Sequence, residues 1–188
     1  MSTKTKKTIF ITHKGIAQYP WLNKPDTQFD ADGVYKCNLI VPTDHTKEIR
    51  EVVNKVAEEE FGKTKVKNAR LPFKVDEETG HSIIITKSKF EPKFCDATGN
   101  IITGDIPKLW GGSTLKLAGY VSPYSAAGNI GISLHLTKVQ IINPVGGDAD
   151  DGISFGEEKD GFIAEQDEIN LAAEQASADE TDNPKYNF

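Results

Sequence analysis

GGSTLKLAGYVSPYSAAGNIGISLHLTKVQIIN, residues 111–143, is the stretch that decides the fold. Gly111-Gly112 opens a strand running from Ser113 to Val121. Leu115, Leu117 and Val121 point one way; Thr114, Lys116, Ala118 and Tyr120 point the other. That period of two is the mark of a half-buried strand. Ser122-Pro123-Tyr124 leads into a Ser/Ala/Gly turn ending at Gly128. Ile130, Ile132, Leu134 and Leu136 then hold one phase, and Val139 and Ile141 take the other. A bulge near Thr137-Lys138 accounts for the shift, since one extra residue flips every later side chain.

Upstream, Thr8 to Lys14 reads as a strand with Ile9 and Ile11 on one face. Lys24-Pro25-Asp26 and Asp30 to Gly33 read as loops. GVYKCNLIV, residues 33–41, alternates again, and Pro42 stops it. Thr43 or Asp44 is placed to cap a helix carrying Ile49, Val52, Val53, Val56 and Phe61, with Gly62 as its stop. A short extended piece lies between Pro72 and Glu77, and His81 to Phe90 reads as a further strand. The sum is roughly five or six strands and one helix. This predicts a mainly β body over residues 1–147. An OB-fold, the five-stranded Greek-key barrel, leads among the small barrels.

The charge divides the chain at the same place. Net charge is −6. Residues 1–147 hold 20 Lys+Arg against 15 Asp+Glu, a balance of +5; residues 148–188 hold 2 Lys against 13 Asp+Glu, a balance of −11. The break is Asn143-Pro144-Val145-Gly146-Gly147. High charge and little apolar periodicity predict a disordered acidic tail over residues 148–188. It contains Phe155, Phe162, Tyr186 and Phe188. Such a tail is either a solubilising segment or, through its aromatics, a set of anchors for a partner.

Several chemistries lack their residues. There is no GxxxxGK[ST] loop, no GxSxG and no HExxH. Cys37 and Cys95 stand far apart and the four histidines are scattered, so neither metal nor cofactor is expected. Two free thiols suit a reducing compartment. No apolar run approaches the length of a membrane span, and no membrane partner is expected.

What recurs is aromatic residues interleaved with lysines. Tyr19 and Trp21 lie beside Lys24. Phe90 and Phe94 lie among Lys87, Lys89 and Lys93. Trp110 follows Lys108, and Tyr120 and Tyr124 follow Lys116. Proteins that bind single strands use this pairing: bases stack on aromatic faces and cations track the phosphates. The expected DNA-binding set is Tyr19, Trp21, Lys24, Lys87, Lys89, Lys93, Phe94, Trp110, Lys116, Tyr120 and Tyr124. For any one aromatic, core packing is the competing fate.

Four stretches in order resemble the single-stranded DNA-binding proteins of T7-type phages. They are TIFITHKGIAQYPWLNKPD (8–26), GVYKCNLIVP (33–42), DIPKLWGGSTLKLAGYVSPY (105–124), and the strand from Gly128 to Asn143 followed by an acidic tail ending in Phe188. Residues 63–100 match poorly. The resemblance implies an OB-fold body that coats single-stranded DNA in phage replication and recombination. It implies no enzymatic activity and residence in the cytoplasm of an infected bacterium. It also implies a tail that competes with DNA and contacts the phage polymerase and helicase-primase, with Tyr186 and Phe188 as partner-binding residues. A homodimer occurs in the family and is not assumed for this chain. By position, Tyr124 matches a DNA-facing tyrosine and Lys116 a lysine of the same strand. Ala118 and Asp32 fall where a relative has basic residues. The alternatives are a phage interaction or structural protein built on a small barrel, or a metal-dependent nuclease.

Overall fold

The computed structural model describes residues 7–146. In chain order these form β1 (Thr8–Ile11), β2 (Gly15–Asp26), β3 (Val34–Val41), α1 (Lys47–Lys65), β4 (Phe73–Val75), β5 (Ser82–Ser88), β6 (Lys93–Cys95), β7 (Thr114–Ala126) and β8 (Asn129–Asn143). Five strands close a ring: β2 pairs β3, β3 pairs β5, β5 pairs β8, β8 pairs β7, and β7 returns to β2. All of these pairings are antiparallel except β5–β8. That order, with one parallel closure, is the five-stranded Greek-key barrel expected from the sequence. Three short strands are added to it. β1 lies on β7, β4 on β5, and β6 on β8.

The alternation read from residues 111–143 is the alternation observed. Leu115, Leu117, Val121, Ile132, Leu134, Leu136, Val139 and Ile141 are all buried. The bulge lies where the phase shift puts it. Ala118 pairs with Lys138 and Gly119 pairs with Leu136, so Thr137 is the extra residue. The strands approach closely there. A Cβ on Gly119 would sit 1.7 Å from the His135 carbonyl oxygen and 3.1 Å from the Phe10 ring. Phe10, opposite Gly119 on β1, covers the space a side chain would take.

α1 follows a short 3-10 turn, Thr43–Thr46, and presents Ile49, Val53 and Ala57 to the core. The expected side-chain cap is not made. Instead the Thr46 hydroxyl donates to the Thr43 carbonyl at 2.7 Å and accepts from Arg50 Nε at 3.0 Å. Arg50 also donates to Ser82 Oγ at 3.1 Å and lies 4.4 Å over the Phe73 ring. This network ties the first turns of the helix to β5 and β4. Gly62 does break the helix, with φ at 77°.

β2 is the main departure from expectation. Lys24-Pro25-Asp26, expected as a loop, lies inside a twelve-residue strand. Two prolines and a bulge hide it. Gln18 pairs with Asn38 and Trp21 with Lys36, so Tyr19 and Pro20 together face Cys37. Tyr19 has φ at 48°. The bulge changes the phase, so no single alternation runs through the strand. On β1, Ile9 and Ile11 do share a face, but it is the exposed one; Phe10 carries the core contact. The acidic tail, residues 148–188, lies outside the described residues.

Gly119→Ala should destabilise the barrel by about 3 kcal/mol, the upper end of what overpacking costs. Gly104→Ala, where a Cβ meets nothing, should be near neutral. Urea unfolding of the two variants checks this; equal stability would place the close approach elsewhere.

Candidate nucleic-acid interface

The bulge at Tyr19-Pro20 turns one end of β2 outward, and the segment before β7 folds against it. Asn23 makes the join. Its Nδ2 donates to the Pro107 carbonyl at 3.0 Å and its Oδ1 accepts from the Leu109 amide at 2.9 Å. Gly112 N–H donates to the Ala17 carbonyl at 2.9 Å, closing the other side. Leu22 and Leu109 are buried beneath. The result is a cleft of about 610 Å³ lined by Tyr19, Pro20, Trp21, Leu22, Asn23, Lys24, Lys108, Leu109, Trp110 and Gly111. Tyr19 is 72% exposed and Trp110 56%. Lys24 Nζ lies 5.9 Å over the Trp21 ring. Four residues of the expected set, Tyr19, Trp21, Lys24 and Trp110, therefore meet in one place, although 91 positions separate the first from the last.

From the cleft, strand register carries a belt around the outer wall. Trp21 pairs with Lys36, Lys36 with Lys87, Lys87 with His135, His135 with Tyr120, and Tyr120 with Ile9. Directly opposed residues share a face, and neighbouring strands are roughly 5 Å apart. Four steps from Trp21 to Tyr120 thus span about 20 Å of wall. A parallel row places Ala118 beside Lys138 and Lys138 beside Lys93. Lys116, two pairs further, faces outward beside Gln140. β1, β3, β4, β5, β6, β7 and β8 carry no Asp or Glu. The carboxylates of the described residues lie on α1, on loops and turns, and at the end of β2.

Lys7 Nζ sits 4.8 Å over the outward-facing Tyr120 ring. Tyr124 lies across Gly131, its opposite residue. A Cβ on Gly131 would stand 2.5 Å from the tyrosine oxygen. Near the belt, Lys36 pairs with Asp26, and Lys89 with Asp30. The Lys36 ammonium and the Gln28 amide hold the Asp26 carboxyl below its ordinary value.

One expected residue is lost. Phe94 is 4% exposed and packs in the core on β6 opposite Val139. It offers no face for stacking. Its neighbour Phe90 is 81% exposed, and Phe29 is 89% exposed. Sequence reasoning passed over Phe29, Lys36, Lys138 and His135 as site residues, because only cross-strand register brings the last three to the belt. Tyr186 and Phe188 lie outside the described residues.

Neither thiol has the setting of a nucleophile. Burial pushes Cys37 up to about 12, and Cys95 is also buried. Among the described residues no group of three or more His, Cys, Asp or Glu is placed to hold a metal ion. No helix among them is long and apolar enough to cross a membrane.

No family profile matches the chain, and no curated protein does. Solved structures do. The structure of gp2.5, a single-stranded DNA-binding protein encoded by bacteriophage T7, matches with a TM-score of 0.63 at 24% identity, covering 85% of this chain and 100% of that one. The single-stranded DNA-binding protein of bacteriophage Enc34 matches with a TM-score of 0.58 at 17% identity, over 78% of this chain and 87% of that one. The same Enc34 protein in complex with ssDNA matches with a TM-score of 0.58 at 18% identity, over 73% and 89%. This barrel has the fold of phage single-stranded DNA-binding proteins.

The Asp26–Lys36 pair generates a pH prediction. A carboxyl held low in the folded state contributes stability that is complete above its ordinary value of 3.8 and is lost as pH falls through the lowered folded-state value. Asp26→Asn should therefore flatten the acid limb of the stability–pH curve. An acid limb unchanged from wild type would contradict the pairing.

Proposed function

We propose that the protein binds single-stranded DNA without sequence preference, coating and protecting it during phage DNA replication and recombination. The observation that carries this reading is the cleft. It brings two tryptophans and a tyrosine together with Lys24 and Lys108, and it opens onto a wall whose lysines meet no carboxylate on the neighbouring strands apart from Asp26. Base stacking on aromatic faces is worth roughly 1–3 kcal/mol per base and tolerates any base. Lysines that replace counterions on phosphates make binding salt-dependent. The shared fold with proteins that bind such strands supports the same reading. The acting set is Tyr19, Trp21, Lys24 and Trp110 in the cleft, with Lys87, Lys93, Lys116, Tyr120 and Tyr124 on the wall. Lys89 contributes less, since Asp30 already holds it.

The tail, residues 148–188, carries −11 beside a body of +5. It resembles a DNA strand in charge and carries aromatics where DNA carries bases. In this reading it competes for the same surface and recruits the phage polymerase and helicase-primase, with Tyr186 and Phe188 as contacts.

Titration with poly-dT should show binding that weakens as salt rises. Trp21→Ala with Trp110→Ala should lower affinity at least 10-fold at fixed salt, from the value of a stacked base. Wild-type protein that fails to bind at low salt even without residues 148–188 would overturn the function. Deleting residues 148–188 should raise affinity, because it removes like charge from the approach of DNA. Unchanged affinity would contradict competition by the tail.

A further inference from the structure

Two phenylalanines stand almost wholly in solvent, Phe29 at 89% and Phe90 at 81%. They belong to different loops, Phe29 between β2 and β3 and Phe90 between β5 and β6. The Lys89–Asp30 ion pair joins the two loops, linking the residue before Phe90 to the residue after Phe29. Each loop is also shaped from within. Asp26 Oδ1 accepts from the Gln28 amide at 3.0 Å, and the Asp30 carboxylate accepts from the Asp32 amide at 3.1 Å. Ser88 Oγ accepts from the Phe90 amide at 3.0 Å. Two apolar rings are therefore held out of the core on braced loops.

Their position relates them to the belt. Lys87 pairs with Lys36, and Tyr35 pairs with Ser88. Phe90 follows Lys87 by three residues, roughly 10 Å of extended chain. The loop tips rise from the same end of β2, β3 and β5 that carries the Trp21–Lys36–Lys87 steps. Lys87 and Lys93 flank Phe90 in sequence and are exposed. Asp32 follows Phe29 by three residues and Glu91 directly follows Phe90, so each loop carries a carboxylate that repels phosphate. A strand whose backbone follows the lysines thus turns its uncharged bases, not its phosphates, toward the phenylalanines.

We infer that Phe29 and Phe90 form a second base-stacking station, beyond the cleft, which extends the single-stranded DNA track over the loops after β2 and β5. This rests on the proposed DNA-binding function. The rings supply planar apolar faces, and the Lys89–Asp30 pair holds the loops that present them.

The test uses the full chain and an oligo-dT long enough for one protein, on the order of 15 nucleotides for a single OB-fold. Phe29→Leu with Phe90→Leu should lower affinity at least 5-fold, the lower bound for one stacked base. Phe29→Tyr with Phe90→Tyr should keep it, because a planar face remains. On a fragment of about 5 nucleotides, near the smallest site of an OB-fold, the leucine variant should bind like wild type, whereas Trp21→Ala with Trp110→Ala should not. Both phenylalanines are exposed, so thermal unfolding of the leucine variant should match wild type. Unchanged affinity of the leucine variant for the longer oligonucleotide would overturn the station while leaving the cleft intact. Loss confined to cooperative binding on long poly-dT would also overturn it, assigning the rings to contacts between neighbouring copies. A wild type that binds neither oligonucleotide, with the tail removed, would remove the function itself.

Discussion

Two residue pairs close this barrel: Thr86 beside Leu134 and Lys87 beside His135, where β5 and β8 run parallel. The other ring contacts are antiparallel, and several are long. Without the parallel contact the sheet is an open ribbon, with β3 and β8 on strands that never meet through a common neighbour. The contact is anchored from inside. Thr86 is buried, and its hydroxyl donates to the Cys37 carbonyl at 2.9 Å across β3. Leu134 is buried against the same core. Long-range parallel pairing is the part of such a fold that local sequence does least to specify.

The same contact organises the outer wall. It sets Lys87 next to His135, and so joins the lysines of β3 and β5 to the tyrosine of β7. A slip of β5 by one residue would turn Lys87 inward and Thr86 outward. The chemistry of the surface and the packing of the core are thus fixed by one register. The bulges act alongside it. Thr137 restores the inward phase of β8, and Tyr19-Pro20 swings the end of β2 out to form one side of the cleft. Irregularities of this kind often re-aim side chains next to functional sites.

Much of this was legible in the sequence, and the reasons differ by element. β3, β7 and β8 alternate cleanly because one face of each is core. Even the Thr137 bulge shows as a change of phase. α1 shows as a stripe of Ile and Val ended by Gly62. β2 was not legible as a strand, because Pro20, Pro25 and a left-handed Tyr19 imitate a loop. The cleft was legible as a list of residues but not as a place, since Trp21 and Trp110 come together only where the segment before β7 folds against β2. Phe94 shows the limit of reading aromatics by their neighbours. Lys93 beside it is exposed, yet on a strand adjacent residues face opposite sides. Phe29 shows the converse: beside Asp30 it was not singled out in the sequence, yet it is an aromatic held in solvent.

The roles proposed for tail, wall and cleft all depend on where a DNA strand would lie on this barrel. Ultraviolet cross-linking of the full chain to an oligo-dT, followed by peptide mapping, locates it most directly. The account predicts adducts on peptides containing residues 19–24 and 108–111, with further adducts over residues 116–124. Adducts confined to α1 and the turn at residues 76–80, with none on the cleft, would contradict it.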